Sequence, residues 1–313
     1  MRRLAIVFGV SALLLGCGDG SDHPGATPTP TPVFGAEETA FDLDLATELG
    51  RLCLQSYQML IDFEHGTPFT LPAPFTLRAQ YLTAEHYPGE PYPSEVPIAF
   101  VATSGTAIYV VFRGTVTIAE WISDATLSQV PFAPVRGGGR TETGFTRIYE
   151  SINTAIIDEV NALAAAGSYS ELYVTGHSLG AALATLAAPD LARATGFDAP
   201  VLYNFASPRS GDPTFAALVD ELPASWRIAN TYDEVPRLPP VVTIVFTDGK
   251  SELFFYEHIN SEYPLTFGTP IRNVSDLEHN HAMCNYYATL CDQTDDPSGC
   301  KQMAGGAGGC TPG

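Results

Sequence analysis

The sequence predicts an α/β fold, with a single mixed, mostly parallel sheet flanked by helices. Short β-prone runs alternate with segments of helical period along most of the chain. The apolar run Leu172–Thr175 leads directly into Gly-His-Ser-Leu-Gly and then into a helix of small residues, as expected for a strand, a tight turn and a helix. The chain has 313 residues, of which 45% are hydrophobic, so one large core is feasible.

The N-terminal residues are expected to lie outside this domain. Positively charged Arg2 and Arg3 precede the apolar run Leu4–Leu15, which is too short to span a bilayer comfortably. The sequence therefore predicts a signal peptide over 1–16. Residues 17–35 are rich in Gly, Thr and Pro and cannot bury a core, so they predict an extended tether.

The region after the tether predicts a helix, an irregular segment and a hairpin. The helix is predicted within 36–61, where apolar residues recur near the 3.6 period at Leu45, Leu49, Leu52, Cys53 and Leu60. Residues 64–97 are rich in Pro and Tyr and predict irregular surface structure. Two β-prone runs, 98–103 and 107–113, flank a Ser-Gly-Thr turn and predict a hairpin.

The middle of the chain predicts two helices around a strand. A long amphipathic helix is predicted over 144–166, with one apolar face made of Ile148, Ile152, Ile156, Val160 and Leu163. The strand 172–175 and a helix of small residues, 181–188, follow. Pro189 is expected to end or kink that second helix.

The remaining elements complete one domain over 36–291. They are strand 200–205, helix 213–222, strand 226–231, a hairpin of strands 241–247 and 252–256, and helix 277–290. The Gly- and Cys-rich tail 292–313 is expected to have little regular structure.

The charge balance excludes one class of partner. The 35 acidic and 15 basic residues give a formal net charge of −20, which argues against nucleic-acid binding and gives no attraction to anionic lipid. The sequence shows no metal-ligand cluster, so we expect no metal and no cofactor. We expect a monomer.

Five cysteines lie in the predicted domain and its C-terminal tail. Cys284, Cys291, Cys300 and Cys310 cluster near the C-terminus and predict two disulfides that pin the tail, with three possible connectivities. Cys53 is either a buried thiol or the partner of a distant cysteine.

The run Leu14-Leu15-Gly16-Cys17 resembles the bacterial lipoprotein box. The resemblance implies that Cys17 is lipidated and that the protein is exported and anchored to a bacterial membrane, at the periplasmic face or the cell surface. An ordinary signal peptide with a chance cysteine is the alternative.

Residues 176–180 have the Gly-x-Ser-x-Gly pattern of a nucleophile elbow. Gly176 and Gly180 leave room for a tight strand-to-helix turn, from which Ser178 projects. The backbone N–H of Leu179 then points to the place where an oxyanion would form. A plain strand–turn–helix of an α/β core accounts for the glycines but not for an exposed Ser178.

Three further stretches follow predicted strands. They are Phe112-Arg113-Gly114-Thr115, the run from Phe205 to Asp212, and the run from Asn230 to Pro240. Together with the elbow they resemble the class 3 lipase family, the fungal-type triacylglycerol lipases, over residues 45–290. The resemblance implies an α/β-hydrolase fold.

The resemblance also implies roles for individual residues. Ser178 would be the nucleophile, and Asp233, at the Asp-x-Val-Pro position of the family, would be the acid of the triad. The backbone N–H of Thr115 would join that of Leu179 in the oxyanion hole. Asp124 matches an aspartate that tethers the oxyanion loop in relatives.

The catalytic histidine of this family lies just before a tyrosine-bearing C-terminal helix, usually after Asp or Asn. Both His279 and His281 lie in this position, and His281 is favoured as the general base because it follows Asn280. The other of the two would face solvent. His258 resembles a structural histidine of the family.

Family lipases carry an amphipathic lid just after the oxyanion residue. In this chain Ile118, Trp121 and Ile122 share one face at helical spacing. Their apolar character favours acylglycerol substrates over the feruloyl esters that other members of the family cleave. An ordinary surface helix that packs its apolar face on the core is the alternative.

The resemblance implies a triacylglycerol lipase that acts on lipid or ester at an oil–water interface and reaches the membrane through Cys17. A carboxylesterase, a phospholipase A or a feruloyl-type esterase would use the same residues. A non-catalytic surface binding protein on a hydrolase fold is the remote alternative, and a peptidase is disfavoured by the resemblance.

Overall fold

The computed structural model describes residues 40–85, 94–115, 127–167, 169–247, 250–259 and 261–310. Its α-helices are α1 Leu43–Glu64, α2 Thr143–Ala165, α3 Leu179–Ala194, α4 Pro213–Val219, α5 Val274–His281, α6 Met283–Cys291 and α7 Pro297–Gln302. Two short 3₁₀ turns lie at Val235–Arg237 and Ala307–Gly309.

A seven-stranded sheet forms the centre of the fold, in the order β1-β2-β3-β6-β7-β8-β11. Its strands are β1 Thr76–Glu85, β2 Ser94–Ser104, β3 Ala107–Phe112, β6 Glu171–His177, β7 Val201–Phe205, β8 Ser225–Asn230 and β11 Ser261–Leu265. The pairs β1–β2 and β2–β3 are antiparallel, and all pairs from β3 to β11 are parallel. The predicted mixed, mostly parallel sheet is therefore confirmed.

Two small two-stranded sheets lie outside the central one. They are β4 Gln129–Pro131 with β5 Arg140–Glu142, and β9 Val242–Thr247 with β10 Lys250–Phe255, both antiparallel. The second is the predicted hairpin, whereas the first was not predicted.

Helices cover both faces of the central sheet. Strand β3 is buried at all six positions, as expected for a strand with apolar neighbours on both sides. The apolar face of α2 and most of α3 pack on one side, in a cluster that includes Ile156 and Val174. Helices α1 and α6 pack on the other side, where Leu52 and Tyr286 belong to the same cluster as Val111.

Residues 64–97 are not irregular throughout, so that prediction was wrong. Strand β1 lies within them and pairs with β2. The register shifts between Leu77 and Ala79 and again between Tyr81 and Leu82. The first shift places an extra residue in β1, so Leu77 and Ala79 pack in clusters on opposite sides of the sheet although they are two residues apart. The second shift places the extra residue in β2.

The sequence analysis also missed strand β11 and the continuation of α3 beyond Pro189. Strand β11 is at the edge of the sheet, where Pro264 removes no ladder hydrogen bond that a neighbouring strand needs. Pro189 lies inside α3 without ending it. Residues 179–191 of this helix are all buried, so packing outweighs the unfavourable proline.

The C-terminal region is more structured than predicted. The expected single helix 277–290 is divided at Ala282, which has extended backbone angles (φ −62°, ψ 126°). The tail contains α7 and a 3₁₀ turn. Two disulfides pin it, as predicted, and they join Cys284 to Cys310 and Cys291 to Cys300.

Cys53 is a buried free thiol and not the disulfide partner of a distant cysteine. Its Sγ lies 3.4 Å from Thr175 Oγ1. Burial raises the pKa of this thiol to about 12, so the sulfur remains protonated and unreactive at neutral pH.

Candidate active site

Ser178 occupies a strained turn between β6 and α3. Its backbone angles are φ 60° and ψ −125°, a region that non-glycine residues rarely adopt. Its N–H donates to Phe205 O at 3.0 Å, which fixes the turn to the end of β7. Strain of this kind is retained where the surrounding structure enforces it, often at functional sites.

The two elbow glycines are required by close backbone contacts. A Cβ at Gly176 would lie 2.2 Å from Gly180 O, and a Cβ at Gly180 would lie 2.3 Å from Phe112 O. Both distances are far below a van der Waals contact, and both neighbours are backbone atoms that cannot rotate away. The turn between β6 and α3 therefore packs directly on β3.

Gly180→Ala is expected to lower the free energy of unfolding by about 3 kcal/mol or more, because its Cβ must displace the backbone of β3. Denaturant titration and the yield of soluble protein measure this loss. Gly196→Ala is the matched control, because no atom of the described residues lies within 4 Å of a Cβ built there. Equal stability of the two variants would contradict the packing argument.

Asp233 and His281 form a buried hydrogen-bonded pair. Asp233 follows β8, and His281 is the last residue of α5. His281 Nδ1–H donates to Asp233 Oδ2 at 2.8 Å, and both side chains are almost fully buried. His279, the other candidate, is exposed and contacts Asn285.

Two asparagines tie the segments that carry this pair. Asn230, at the end of β8, donates its Nδ2–H to Asn280 O at 3.0 Å. Asn280 donates in return to Tyr232 O at 3.1 Å. The residue before His281 is thus bonded to the residue before Asp233, which sets the distance between the two catalytic candidates.

Tyr286, in α6, supports the carboxylate of Asp233. Its hydroxyl donates to Oδ2 at 2.8 Å and accepts the N–H of Asn230 at 2.9 Å, while Val235 N–H donates to Oδ1 at 2.9 Å. Complete burial raises the pKa of Tyr286 well above its usual value, so the hydroxyl remains a donor. Three donors therefore hold the carboxylate in place.

His177 joins the elbow to His281. Its Nε2–H donates to His281 O at 2.8 Å, and its Nδ1 accepts the hydroxyl of Tyr57 at 2.7 Å. The two imidazole rings are 4.7 Å apart between centroids. Because Ser178 follows His177 directly, this contact brings the nucleophile candidate and the base candidate together.

Two reactive atoms of the site remain unpaired. Ser178 Oγ and His281 Nε2 are both buried, and neither has a hydrogen-bond partner among the described residues. Since Nδ1 of His281 carries the proton bonded to Asp233, Nε2 presents a lone pair. Buried polar atoms are rarely left unpaired unless they have a chemical role.

The loop before Thr115 packs against the elbow. A Cβ at Gly114 would lie 2.6 Å from His177 O and 3.1 Å from Ser178 Cβ, so only glycine fits there. The buried Arg113 side chain donates to Gly114 O at 2.6 Å and to Pro97 O at 2.8 Å, and so fixes this loop. Sequence analysis quoted Arg113 in a motif but missed this role.

Leu179 and Thr115 are the two residues predicted to donate to an oxyanion. Leu179 is the first residue of α3, where backbone N–H groups have no partner within the helix. Thr115 is the last described residue after β3 and follows Gly114 directly. Leu179 thus follows Ser178 in the chain, and Thr115 follows Gly114, which packs against Ser178.

Several predicted residues lie outside the described part of the chain. They are Cys17, Ile118, Trp121, Ile122 and Asp124. Within the described ranges, no group of three or more His, Cys, Asp or Glu residues could hold a metal ion.

Acidification is expected to destabilise the fold through two neutral histidines. Burial lowers the pKa of His177 well below 6.5, and burial with the nearby Arg227 lowers that of His258 to about 3. In the unfolded chain both histidines would titrate near pH 6.5. Below this pH the unfolded chain therefore binds more protons than the folded protein does. The free energy of unfolding should decrease by up to about 1.4 kcal/mol per pH unit for each histidine.

Denaturant titrations at pH 7, 6 and 5 measure this slope. His258→Gln should reduce it, since the imidazole, whose Nε2–H donates to Pro236 O, is then absent. His279→Gln is the control, because His279 is exposed. An undiminished slope in His258→Gln would contradict the assignment of this pH dependence to His258.

Comparison with known proteins relates this site to lipases. The family model described as "Lipase (class 3)" matches residues 109–243. The secreted mono- and diacylglycerol lipase A of Penicillium camembertii is 34% identical over 163 residues, which cover 52% of this chain and 49% of the relative. A lipase from Rhizomucor miehei is 36% identical over 172 residues, 53% of this chain and 44% of the relative.

Phospholipase A1 EG1 of Oryza sativa subsp. indica is 34% identical over 210 residues, 58% of this chain and 47% of the relative. The chain thus spans about half the length of the curated relatives it matches.

Solved structures share the fold. A mutant of MDLA from Penicillium cyclopium has a TM-score of 0.56 and 26% identity, covering 75% of this chain and 84% of its own. The triacylglyceride lipase of Rhizomucor miehei has a TM-score of 0.54 and 26% identity, with coverage of 71% and 79%. Both are α/β-hydrolase folds, as the sequence predicted for this chain.

Proposed function

We propose that this chain is a serine hydrolase of the class 3 lipase family and that it cleaves the carboxylic esters of acylglycerols, because the family model matches residues 109–243 and a mono- and diacylglycerol lipase is 34% identical over 163 residues. One observation carries the proposal. The Oγ of a strained, buried Ser178 and the Nε2 of His281 have no hydrogen-bond partner in the described part of the chain, while Nδ1 of the same histidine is bonded to Asp233. This is the arrangement by which a histidine activates a serine.

In the proposed reaction, Ser178 Oγ attacks the acyl carbonyl and His281 Nε2 takes the serine proton. Asp233 holds the imidazole in the tautomer with Nε2 free and stabilises its charged form. His281 then protonates the leaving alcohol. A water molecule, deprotonated by the same histidine, hydrolyses the acyl-enzyme and restores Ser178.

The backbone N–H groups of Leu179 and Thr115 are proposed to stabilise the oxyanion of each tetrahedral intermediate. A donor of this kind contributes about 3–4 kcal/mol to catalysis. Arg113 is proposed to preorganise the second donor by holding Gly114, the residue before Thr115. We also retain the proposal that Asp124 tethers this loop.

Acylglycerol is the preferred substrate class for two reasons. The mono- and diacylglycerol lipases named above are similar to this chain over its catalytic region. In addition, the apolar residues Ile118, Trp121 and Ile122 follow Thr115 in sequence, and we propose that they meet the lipid.

Phospholipase A activity is the second candidate. It is favoured by the similarity to rice and Arabidopsis phospholipases A1, which match this chain at 31–35% identity. The chemistry at Ser178 would be the same, because both substrates present an acyl ester of glycerol.

We further propose that the protein is exported and lipid-anchored through Cys17, on the basis of the run that ends at this cysteine. No helix within the described residues is long and apolar enough to cross a membrane. Metabolic labelling with a fatty acid tests the anchor. Label should appear on the protein and be absent from Cys17→Ser.

Fatty-acid release from emulsified triolein, from phosphatidylcholine vesicles and from a soluble short ester tests the function. Release from triolein that depends on Ser178 supports the lipase. Faster release from phosphatidylcholine would favour the phospholipase, and release from the soluble ester alone would favour a carboxylesterase. No release from any of them would overturn the proposal.

A further inference from the structure

The β9–β10 hairpin presents an apolar face to solvent. In its antiparallel register Val242 is opposite Phe255, and Ile244 is opposite Leu253. Residues directly opposite one another lie on the same face of the ladder, and alternate residues of one strand do so too. The shared face, here called the apolar hairpin face, consists of Val242, Ile244, Phe246, Leu253 and Phe255, which are 50–77% exposed.

The apolar side chains of β9 face away from the core, whereas those of an ordinary half-buried hairpin face toward it. The alternation Val-Thr-Ile-Val-Phe-Thr in β9 would normally turn its apolar residues toward the core. Here Thr243, on the opposite face, is buried, and Phe246 is the most exposed of the large apolar residues described. Single exposed apolar residues are common, but a contiguous set marks an interaction surface.

The hairpin is attached to the edge of the sheet that carries the catalytic candidates. Its strand β9 begins shortly after Asp233, and Glu257 N–H donates to Gly211 O at 3.0 Å in the loop after β7. Its other strand is bound by Gln129, whose Nε2–H donates to Phe255 O at 2.8 Å. The base of the hairpin is therefore held by loops that follow the carboxyl ends of β7 and β8, the edge of the parallel sheet at which Ser178 and Asp233 also lie.

The residue after β10 also contacts the segment at which the described chain resumes. The Tyr256 hydroxyl donates to Leu127 O at 3.1 Å, where the chain re-enters the described region after Thr115. These bonds to the loops at the carboxyl edge of the sheet distinguish the face from the exposed apolar residues elsewhere on the molecule, such as Phe63 and Leu82.

The charge of the face indicates which surface it fits. Its sixth position is Ser251, and the charged residues of the two strands, Lys250 and Glu252, lie on the opposite face. With a formal net charge of −20, the chain as a whole is repelled by anionic lipid. An uncharged apolar patch on an acidic protein fits a neutral lipid phase better than an anionic bilayer.

We infer that the apolar hairpin face is a docking surface for the interface of neutral acylglycerol with water, and that it holds the catalytic site against this interface. The inference rests on the proposed function for the identity of the lipid. The hairpin contributes binding only, so it raises the rate on emulsified substrate and leaves the chemistry at Ser178 unchanged.

The test uses the full chain with Cys17→Ser, so that no lipid anchor is attached, and Ser178→Ala, so that the lipid is not consumed. Binding to triolein droplets is measured by flotation for this parent and for the parent with Ile244→Thr and Phe246→Thr. Threonine preserves the strand preference of both positions. The control carries Phe63→Gln and Leu82→Thr, which remove one exposed aromatic and one exposed aliphatic side chain outside the hairpin.

The hairpin variant is expected to bind droplets about tenfold or more weakly than the parent, and the control to bind like the parent. With Ser178 restored, the hairpin variant should hydrolyse a soluble short ester at the parent rate, which also shows that it folds. Unchanged droplet binding in the hairpin variant would overturn the inference.

Two other results would also overturn it. Stronger parent binding to vesicles of phosphatidylcholine and phosphatidylglycerol than to triolein would make the face a bilayer anchor. A parent dimer that becomes monomeric in the hairpin variant, with unchanged droplet binding, would make it a contact between two copies. The proposed function fails separately, by a lack of Ser178-dependent ester hydrolysis, whatever the droplets show.

Discussion

Replacing Ser178 with alanine is expected to lower kcat for ester hydrolysis by about a million-fold. In the proposed mechanism Oγ of this residue forms the acyl-enzyme, and alanine has no atom to replace it. The residual rate would come from the oxyanion donors and substrate binding alone. Acid release from a soluble short ester, titrated at constant pH, measures the loss without any contribution from a lipid surface.

Ser225→Ala is the matched control for this experiment. Ser225 Oγ is also buried and, within the described residues, also lacks a hydrogen-bond partner, but it lies at the start of β8, away from the carboxyl edge of the sheet. Its kcat should be unchanged. Ser178→Ala should be as stable as the parent, because alanine has the same Cβ as serine and so has the same strain at φ 60°. Equal loss of activity in the two variants would contradict a specific role for Ser178.

The sequence predicts those parts of the fold that are determined by local patterns. Strand β3 is a continuous apolar run, and α2 has one apolar face, so both are recognised within two residues of their observed bounds. The elbow is equally local, because two glycines and a serine within five residues are required by one tight turn. Strand β1 was missed because it lies in a stretch rich in Pro and Tyr, and one extra residue divides its apolar positions between the two faces of the sheet.

The supports of the candidate site have no such local pattern. Tyr286 is 53 residues from Asp233 in sequence, and Tyr57 is 120 residues from His177. A tyrosine in an apolar helix predicts burial, but the partner of its hydroxyl depends on how that helix packs. The same limit applies to the β9–β10 hairpin, where the alternation predicts the strands but assigns the wrong face to the core.

The second large effect is expected for Asp233→Asn, which should lower kcat/KM by about ten-thousand-fold. Both carboxylate oxygens now accept hydrogen bonds, Oδ1 from Val235 N–H and Oδ2 from His281 and Tyr286. An asparagine amide must place an NH₂ group at one of these positions. At Oδ1 it would oppose the N–H of Val235, a contact between two donors.

At Oδ2 the NH₂ group would donate to Nδ1 of His281 and move the imidazole proton to Nε2, the atom that must accept the proton of Ser178. It would also displace the hydroxyl of Tyr286. Asp190→Asn is the matched control, since Asp190 is likewise a buried carboxylate that accepts a tyrosine hydroxyl, from Tyr149 at 2.8 Å, but it lies in α3 away from His281. If the two variants lose kcat/KM equally, the loss in Asp233→Asn reflects burial of a polar group in general and not the tautomer of His281. A loss confined to Asp233→Asn, with unfolding free energies similar in both, would identify the carboxylate as the group that keeps Nε2 free to act as a base.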